Sequence, residues 1–235
     1  MKIVSLLSAL GKAAQMAAPA LGRALRDEDE SVKMIAITFF TDSEGEDALL
    51  NQLPAQLKRE LLPEFLREVK AGGDYGLRNN AALALRFYPE EREVVVPVLT
   101  TALSDRVPIV QIAAAEALHR VAPDVVASEG VVPVVIGVLR NPDDQIAYRA
   151  AILLGKMGEK PALTVPALIE SVQGTNRLVA SSAASALGCF PQHAELIVPV
   201  LLRAYQDTNG IVSRRASGAA LKKVAPQVAN SLGIE

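Results

Sequence analysis

The chain has 235 residues with 24 basic and 26 acidic side chains. Its formal charge of −2 gives no overall attraction to a polyanion, so nucleic acid is not an expected partner. Half of the residues are apolar, only 4% are aromatic and tryptophan is absent, which predicts a core of Ala, Leu, Val and Ile in closely packed helices. The single cysteine, Cys189, excludes an internal disulfide and is expected to be a buried core residue in a reducing compartment.

The N-terminal segment has some features of a secretory signal, because Lys2 precedes an apolar stretch at 3–10. Gly11 ends that stretch early, so we expect a cytoplasmic protein. No segment approaches the roughly 18 apolar residues that cross a bilayer, and membrane insertion is not expected. A Leu-Gly-Lys phrase that closes the stretch returns at 154–156, so 3–12 are predicted to be a partial second helix, either a cap or part of a longer array.

A unit of about 33 residues recurs along the chain, and a proline followed by apolar residues marks each copy. These prolines stand 36, 33 and 33 residues apart, at Pro97, Pro133, Pro166 and Pro199. A fixed period of this size indicates stacked helical hairpins. Because proline is tolerated in the first turn of a helix, each one predicts the start of a first helix, followed by a polar turn and a second helix.

The predicted segments follow from this register. In chain order they are a partial or capping helix at 3–12, repeats at 13–41, 54–88, 94–121, 131–157, 164–190 and 197–224, with an insertion at 42–53 and a C-terminal cap at 226–235. The insertion is expected to be a solvated loop with a short helix at 48–53. The clearest first helices are predicted at 131–139 and 165–172, and the clearest second helices at 146–157 and 179–188.

The second helices align on an apolar residue that often precedes a glycine. The aligned residues are Leu10, Phe40, Leu85, Leu118, Leu154, Leu187 and Leu221. Three and four positions earlier stand small or apolar residues, as in Ala150 and Ala151, which places them on one helical face. The pattern therefore predicts second helices that pack closely on one another.

The phrases VVPVVIGVLRNPDDQIAYRAAILLGKMG and TVPALIESVQGTNRLVASSAASALGCF resemble HEAT repeats of the alanine-rich bacterial kind, the phycobilisome-lyase-like group. The resemblance covers nearly the whole chain and weakens between residues 42 and 60. We therefore predict a single all-α domain over 1–235, a right-handed α-solenoid of about six HEAT-like helical-hairpin repeats. Fold alone does not give function, because such repeats serve scaffolds, adaptors and a few enzymes.

The resemblance also implies a ladder between an Asp in the inter-helix turn and a basic residue near the start of the second helix. The basic position is occupied in three repeats, by Lys33, Arg78 and Arg214. It is interrupted in the middle repeats by Gln111, Ala147 and Ala180. The ladder is therefore expected to be incomplete.

Enzymatic motifs of related families are missing, so no catalytic residue, metal site or cofactor is expected. Deoxyhypusine hydroxylases hold iron on repeated His-Glu pairs, whereas His119 and His193 lack a following Glu. His119 is expected to be partly buried near a helix C-terminus, and the acids at 143–144 and 90–91 are expected to cap helix N-termini. HEAT-like DNA glycosylases use tryptophan and a basic groove, whereas this chain has no tryptophan and is slightly acidic overall, which argues against that activity.

The function that remains is a non-enzymatic scaffold or adaptor that binds a protein or peptide on the concave face, which the second helices line in such solenoids. The residues predicted to contact the partner are Asn79, Asn80, Glu116, Arg120, Tyr148, Arg149, Ser181, Ser182 and Arg215. Tyr148 and Arg149 are the strongest candidates, because Tyr and Arg are enriched in interface hot spots. The alternative is a bilin lyase-type or other HEAT-repeat enzyme subunit.

Charge is uneven along the chain. Residues 26–47 sum to −6, whereas residues 203–223 sum to +4. Opposite charges at the two ends predict weak head-to-tail self-association. A row of basic residues also closes the second helices, where positive charge stabilises a helix C-terminus.

Overall fold

The computed structural model describes residues 12–41, 49–71, 73–128, 130–207 and 211–234, in which there are fifteen α-helices and no β-strand. In chain order the helices are α1 (Lys12–Ala24), α2 (Glu30–Thr41), α3 (Leu49–Gln52), α4 (Ala55–Lys70), α5 (Tyr75–Leu85), α6 (Arg92–Ala102), α7 (Pro108–Val121), α8 (Pro123–Ser128), α9 (Val131–Leu139), α10 (Asp144–Met157), α11 (Pro161–Val172), α12 (Arg177–Leu187), α13 (Ala194–Gln206), α14 (Arg214–Val224) and α15 (Pro226–Ser231).

Two predicted segments fall wholly or mostly outside these residues. The partial helix expected at 3–12 has only its last residue in the described part of the chain. Residues 42–48 of the insertion also lie outside the described residues, and the short helix α3, Leu49–Gln52, lies within the segment 48–53 where one was expected. Helix α15 occupies the place where a short terminal helix was expected.

The chain forms two units, Met1–Pro123 and Asp124–Glu235. In unit 1 the hairpins are α1 with α2, α4 with α5, and α6 with α7, and the second helices α2, α5 and α7 pack side by side. In unit 2 the hairpins are α9 with α10, α11 with α12, and α13 with α14, and the second helices α10, α12 and α14 do the same. Helix α15 packs on α14. Each unit is thus a stack of helical hairpins in two layers.

The prediction that proline starts each first helix is wrong for three of the four marker prolines. Pro97, Pro166 and Pro199 all lie inside their helices, and only Pro133 stands in a first turn. The physical reason is that apolar residues on the N-terminal side of these prolines are buried. One or two residues before each internal proline a fully or almost fully buried apolar side chain belongs to the same helix, at Val95, Val165 and Ile197. Burying such a side chain is favourable by about 1.5–3 kcal/mol, which offsets a proline's lost hydrogen bond.

Aromatic side chains contribute more to the core than the composition suggested. In unit 1 the rings of Phe40 and Phe65 meet edge to face at 5.7 Å, and those of Phe65 and Tyr88 at 6.1 Å. The Tyr88 hydroxyl donates to the Lys58 carbonyl at 3.0 Å, and burial raises the pKa of Tyr88 far above its usual value. Phe40, Phe65 and Tyr88 thus form one connected aromatic cluster in the core of unit 1.

The expectation that Cys189 is buried is wrong. The thiol is exposed, because α12 ends at Leu187 and the chain turns through Gly188 and Cys189. Phe190 takes the buried position instead and is 0% exposed. A large aromatic ring buries more apolar surface than a thiol, so the turn is oriented by Phe190.

The ladder is present in part, as expected. Arg78 of α5 pairs with Asp105 in the next hairpin's turn, with Nε 2.7 Å from Oδ2. Lys33 instead lies 3.4 Å from Glu68 of α4, where Nζ faces Oε1. Where the basic residue is absent, Gln111 donates through Nε2 to the Asp105 carbonyl at 2.7 Å. The ladder contact is therefore replaced by other polar contacts within unit 1.

Helix capping was predicted correctly at one acidic pair and wrongly at the other. Asp143 is the N-cap of α10 and accepts from the backbone N–H of Gln145 at 2.9 Å. Glu91 precedes α6 but its side chain makes no cap hydrogen bond. It lies in a 3₁₀ turn, and its carboxylate is 3.8 Å from the Arg59 guanidinium. The tighter turn directs the side chain toward α4 instead of the helix end.

Candidate functional site

All nine residues predicted to bind a partner lie on second helices, but in two units. Unit 1 contains Asn79 and Asn80 on α5 with Glu116 and Arg120 on α7. Unit 2 contains Tyr148 and Arg149 on α10, Ser181 and Ser182 on α12, and Arg215 on α14. Arg120 and Arg215 are exposed and the other seven are half-buried.

In unit 1 most of these side chains already bond within the fold. Asn79 donates through Nδ2 to Asn80 Oδ1 at 2.9 Å, and Asn80 donates to Thr38 Oγ1 of α2 at 3.4 Å. The Glu116 carboxylate lies 3.5 Å from the buried Arg86 guanidinium. These polar groups tie neighbouring second helices together, so their first role is structural.

Cations in unit 1 lie over buried aromatic rings at the ends of its helices. The guanidinium carbons of Arg86 and Arg120 lie 4.8 and 5.7 Å from the centre of the Phe87 ring. Lys58 lies over Tyr88, and burial lowers the pKa of its ammonium, with the charge of nearby Glu90 acting in the opposite direction. Part of the basic row is thus occupied in stacking, which leaves less of it to bind a ligand.

In unit 2 the two serines also serve the fold. Ser181 Oγ accepts from the backbone N–H of Ser213 at 2.9 Å, which joins α12 to the start of α14. Ser182 donates to the Leu178 carbonyl one turn earlier on its own helix at 2.8 Å. Their hydroxyls are therefore directed toward the backbone.

Tyr148 and Arg149 differ from the serines in size and chemistry. Both are half-buried on the exposed side of α10, one turn before the half-buried Ile152. Tyr148 makes no hydrogen bond to any other described residue, so its hydroxyl is open to a partner. An aromatic ring, a guanidinium and an aliphatic side chain thus adjoin on one helix. We call these three residues with Ser181 and Ser185 of α12 the central patch.

The second helices of unit 2, which carry the central patch, approach one another to backbone distance near their C-terminal ends. An ideal Cβ built on Gly155 would lie 2.9 Å from the Ala186 Cα, and one built on Gly188 would lie 3.2 Å from the Ala220 Cα. Such contacts between α10, α12 and α14 require glycine on one side and alanine on the other. They leave little room for the helices to move, so the central patch is held on a rigid base.

Two grooves on unit 2 were not predicted. The lateral groove, of about 850 Å³, lies between α11, α13 and residues 211–212. Its apolar lining includes Val172, Pro199, Val200, Ala204, Ile211 and Val212. The cationic groove, of about 520 Å³, lies between α13, α14 and the segment after α15, and is lined by Tyr205, Arg214, Arg215, Gly218, Lys222 and Ile234 among others. Of the nine predicted residues only Arg215 lines either groove. The sequence feature that could have indicated the cationic groove is the excess of basic residues at 203–223.

Within the described part of the chain, no group of three or more His, Cys, Asp or Glu side chains is placed to hold a metal ion. His119 is half-buried in the last turn of α7, as expected. None of the described helices is both long enough and apolar enough to cross a membrane alone. The pair Arg177–Leu187 and Pro191–Gln206 is long and apolar enough when taken together, but the two helices are bent by 98° at the break between them.

The HEAT repeat family model matches residues 95–125. The crystal structure of Kap121p is similar, with a TM-score of 0.55 and 14% sequence identity. The match covers 92% of this chain and 26% of that one, so the chain spans about a quarter of the length of Kap121p. Human deoxyhypusine hydroxylase in complex with glycerol matches with a TM-score of 0.37 and 17% identity, over 93% of this chain and 99% of that one. No curated protein matches the sequence. The HEAT repeat match and the fold similarity to Kap121p confirm the predicted all-α solenoid class, and the chain is a HEAT-like helical repeat protein.

Proposed function

We propose that the protein is a non-enzymatic scaffold or adaptor, and that the central patch of unit 2 binds a protein or peptide. The observation that carries the proposal is the backbone-level packing of α10, α12 and α14 near their C-terminal ends, which fixes the helices that carry Tyr148 and Arg149. A surface held rigid before binding loses little conformational entropy when a partner docks. Affinity then comes from shallow contacts on a preformed face, without a deep cavity.

The chemistry of the central patch supports a protein partner. Tyr and Arg supply large contact area and directional hydrogen bonds, and both are over-represented among residues that dominate binding energy. The hydroxyl of Tyr148 can donate to a partner carbonyl, while Ile152 adds apolar surface beside it. Ser181 and Ser185 add little bulk on the neighbouring helix, so a partner side chain can lie against them.

Two further features agree with this proposal. The exposed thiol of Cys189 suits a reducing environment, which supports a cytoplasmic location. The overall charge of −2 and the absence of tryptophan argue against nucleic acid as the partner.

Replacing Tyr148 by alanine together with Arg149 by glutamate is expected to weaken partner binding at least about tenfold, because hot-spot truncations commonly cost 2 kcal/mol or more. The measurement is quantitative capture from a lysate of the source organism with wild-type and variant baits, followed by titration of the captured partner. The matched control is Leu163→Ala with Arg177→Glu, which makes similar changes at exposed positions of unit 2 outside the central patch. Equal capture by both double variants would contradict the proposal.

A further inference from the structure

Three basic side chains concentrate positive charge in the cationic groove. Arg214, Arg215 and Lys222 line it, all three are exposed, and none of the described lining residues is acidic. Arg214 and Lys222 are eight residues apart on α14, which corresponds to about 12 Å along the helix axis. The groove therefore presents positive charge at both ends of a path about two helical turns long.

The position of the two arginines on α14 does not stabilise the helix. They are the first two residues of α14, and the positive end of the helix dipole disfavours cations at that position. The N-cap residue, Ser213, makes no side-chain cap hydrogen bond to the helix. The N-terminal turn of an eleven-residue helix thus combines backbone N–H groups with two guanidinium groups. All of these features favour an anionic ligand.

One of these arginines is oriented before any ligand arrives. The Arg214 guanidinium carbon lies 4.5 Å from the centre of the Tyr205 ring, and Nη2 lies 3.3 Å from the Tyr205 hydroxyl. A guanidinium stacked on a ring keeps the N–H groups on its edge available for a carboxylate. Gly218 permits this arrangement, since an ideal Cβ there would lie only 3.2 Å from Tyr205 Cε2.

We propose that the cationic groove binds an acidic segment of a partner polypeptide. In an extended segment, carboxylates four residues apart are separated by about 13 Å, close to the separation of Arg214 and Lys222 along α14. One carboxylate pairs with the two arginines at the start of α14, and the second pairs with Lys222. A nucleic acid is disfavoured because the chain is negatively charged overall and Arg214 stacks on Tyr205, the aromatic ring that lines the groove.

This inference rests on the proposed protein-binding function but assigns a second surface and a chemical class of ligand. The probe is a fluorescent Gly/Ser peptide carrying two Glu-Glu pairs four residues apart, and the control peptide has Gln in place of each Glu. Fluorescence anisotropy is expected to show binding of the Glu peptide only, weakening as salt concentration rises. Equal binding of the Gln peptide would overturn the proposal.

The groove variant is Arg215→Glu with Lys222→Glu, which is expected to weaken binding of the Glu peptide at least about tenfold. Glutamate at position 215, in the first turn of α14, suits the helix dipole and offsets the unfavourable glutamate at position 222 in the last turn, so this variant is expected to fold. The matched control, Lys156→Glu with Lys223→Glu, makes the same change of charge at exposed positions of unit 2 outside the groove lining. Equal loss in both variants would show a general charge effect and would also overturn the proposal.

Two more measurements separate the alternatives. Tighter binding of an RNA oligonucleotide of equal charge than of the peptide would overturn the assignment to a polypeptide. A second outcome is that the peptide does not bind, whereas the wild-type chain self-associates and the groove variant does not. This outcome would show that the groove binds a second copy of the chain, and it would overturn the proposal of a partner segment. The Tyr148→Ala, Arg149→Glu variant is expected to keep peptide affinity, so failure at the central patch is distinguishable from failure at the groove.

Discussion

Replacing Asp105 by alanine is expected to lower the free energy of unfolding by about 3–5 kcal/mol, because it leaves the buried Arg78 guanidinium without its carboxylate. Arg78 is 3% exposed and makes two contacts with Asp105, at 2.7 Å from Nε to Oδ2 and 3.1 Å from Nη2 to Oδ1. Arg78 also donates to the Gly73 carbonyl. Asp105 accepts the Val107 N–H at 2.8 Å, so alanine removes that bond as well. The measurement is urea unfolding followed by far-ultraviolet circular dichroism.

Asp143→Ala is the matched control. Asp143 also lies in an inter-helix turn and accepts backbone N–H bonds at the start of a second helix, but it is exposed and no arginine pairs with it among the described residues. Loss of such a cap costs about 1 kcal/mol. Equal losses in the two variants would show that the ion pair adds nothing beyond capping.

The same pair gives a pH dependence of known sign. Burial acts to raise the pKa of Asp105, but hydrogen bonds from Arg78 and the Val107 N–H and the charge of Arg78 outweigh it, so the pKa falls below 3.8. The folded-state pKa is thus depressed. The stabilisation is fully present above the unfolded-state pKa and is lost as pH falls through the folded-state pKa. The difference in stability between wild type and Asp105→Asn is therefore expected to be constant above about pH 5 and to shrink below pH 4.

The fold could be predicted from sequence because its signals are local and repeated. Small residues at fixed offsets from each aligned apolar residue define the second helices, and those positions are buried in both units, as at Ala114 and Ala150. Helix starts were harder to predict. At Pro97 and Pro166 a local preference of proline for the first turn is overridden by buried residues upstream, and that burial depends on the neighbouring hairpins.

A buried polar network in unit 1 also could not be predicted from the local sequence. Glu64 and Glu68 of α4 are 7% and 3% exposed, although one helical turn separates them and their sequence context resembles a solvated face. Arg67 contacts both carboxylates, at 2.8 and 3.0 Å, and Arg26 approaches Glu64 at 2.6 Å from the α1–α2 turn. Burial of these acids depends partly on Arg26 and Lys33 from another hairpin, which the spacing along α4 does not indicate.

The candidate site could be predicted only in part for a related reason. The helix register placed Tyr148 and Arg149 on the exposed side of a second helix, because that position follows from the repeat. The cationic groove requires Tyr205 from a first helix, Arg214 from the next second helix, and Ile234 from the segment after α15. Their proximity is tertiary, so the sequence offered only an excess of basic residues in that region.

Replacing Gly155 by valine is expected to lower the free energy of unfolding by about 3 kcal/mol, the upper part of the usual range for overpacking. An ideal Cβ at this position would lie 2.8 Å from the Ala186 Cβ and 2.9 Å from its Cα. A backbone atom cannot rotate away as a flexible side chain can, so α10 and α12 must separate. Thermal and urea unfolding measure the loss.

Gly137→Val is the control, because Gly137 also lies within a helix but has no atom within 4 Å of the position its Cβ would occupy. Valine is slightly better than glycine in a helix, so this variant is expected to stay within about 0.5 kcal/mol of wild type. Equal stability of the two variants would refute the tight approach of α10 and α12. Because the central patch lies on these two helices, Gly155→Val is also expected to weaken partner capture while Gly137→Val leaves it unchanged. Tight helix packing and partner binding would then be lost together, which is the result that a preformed binding surface requires.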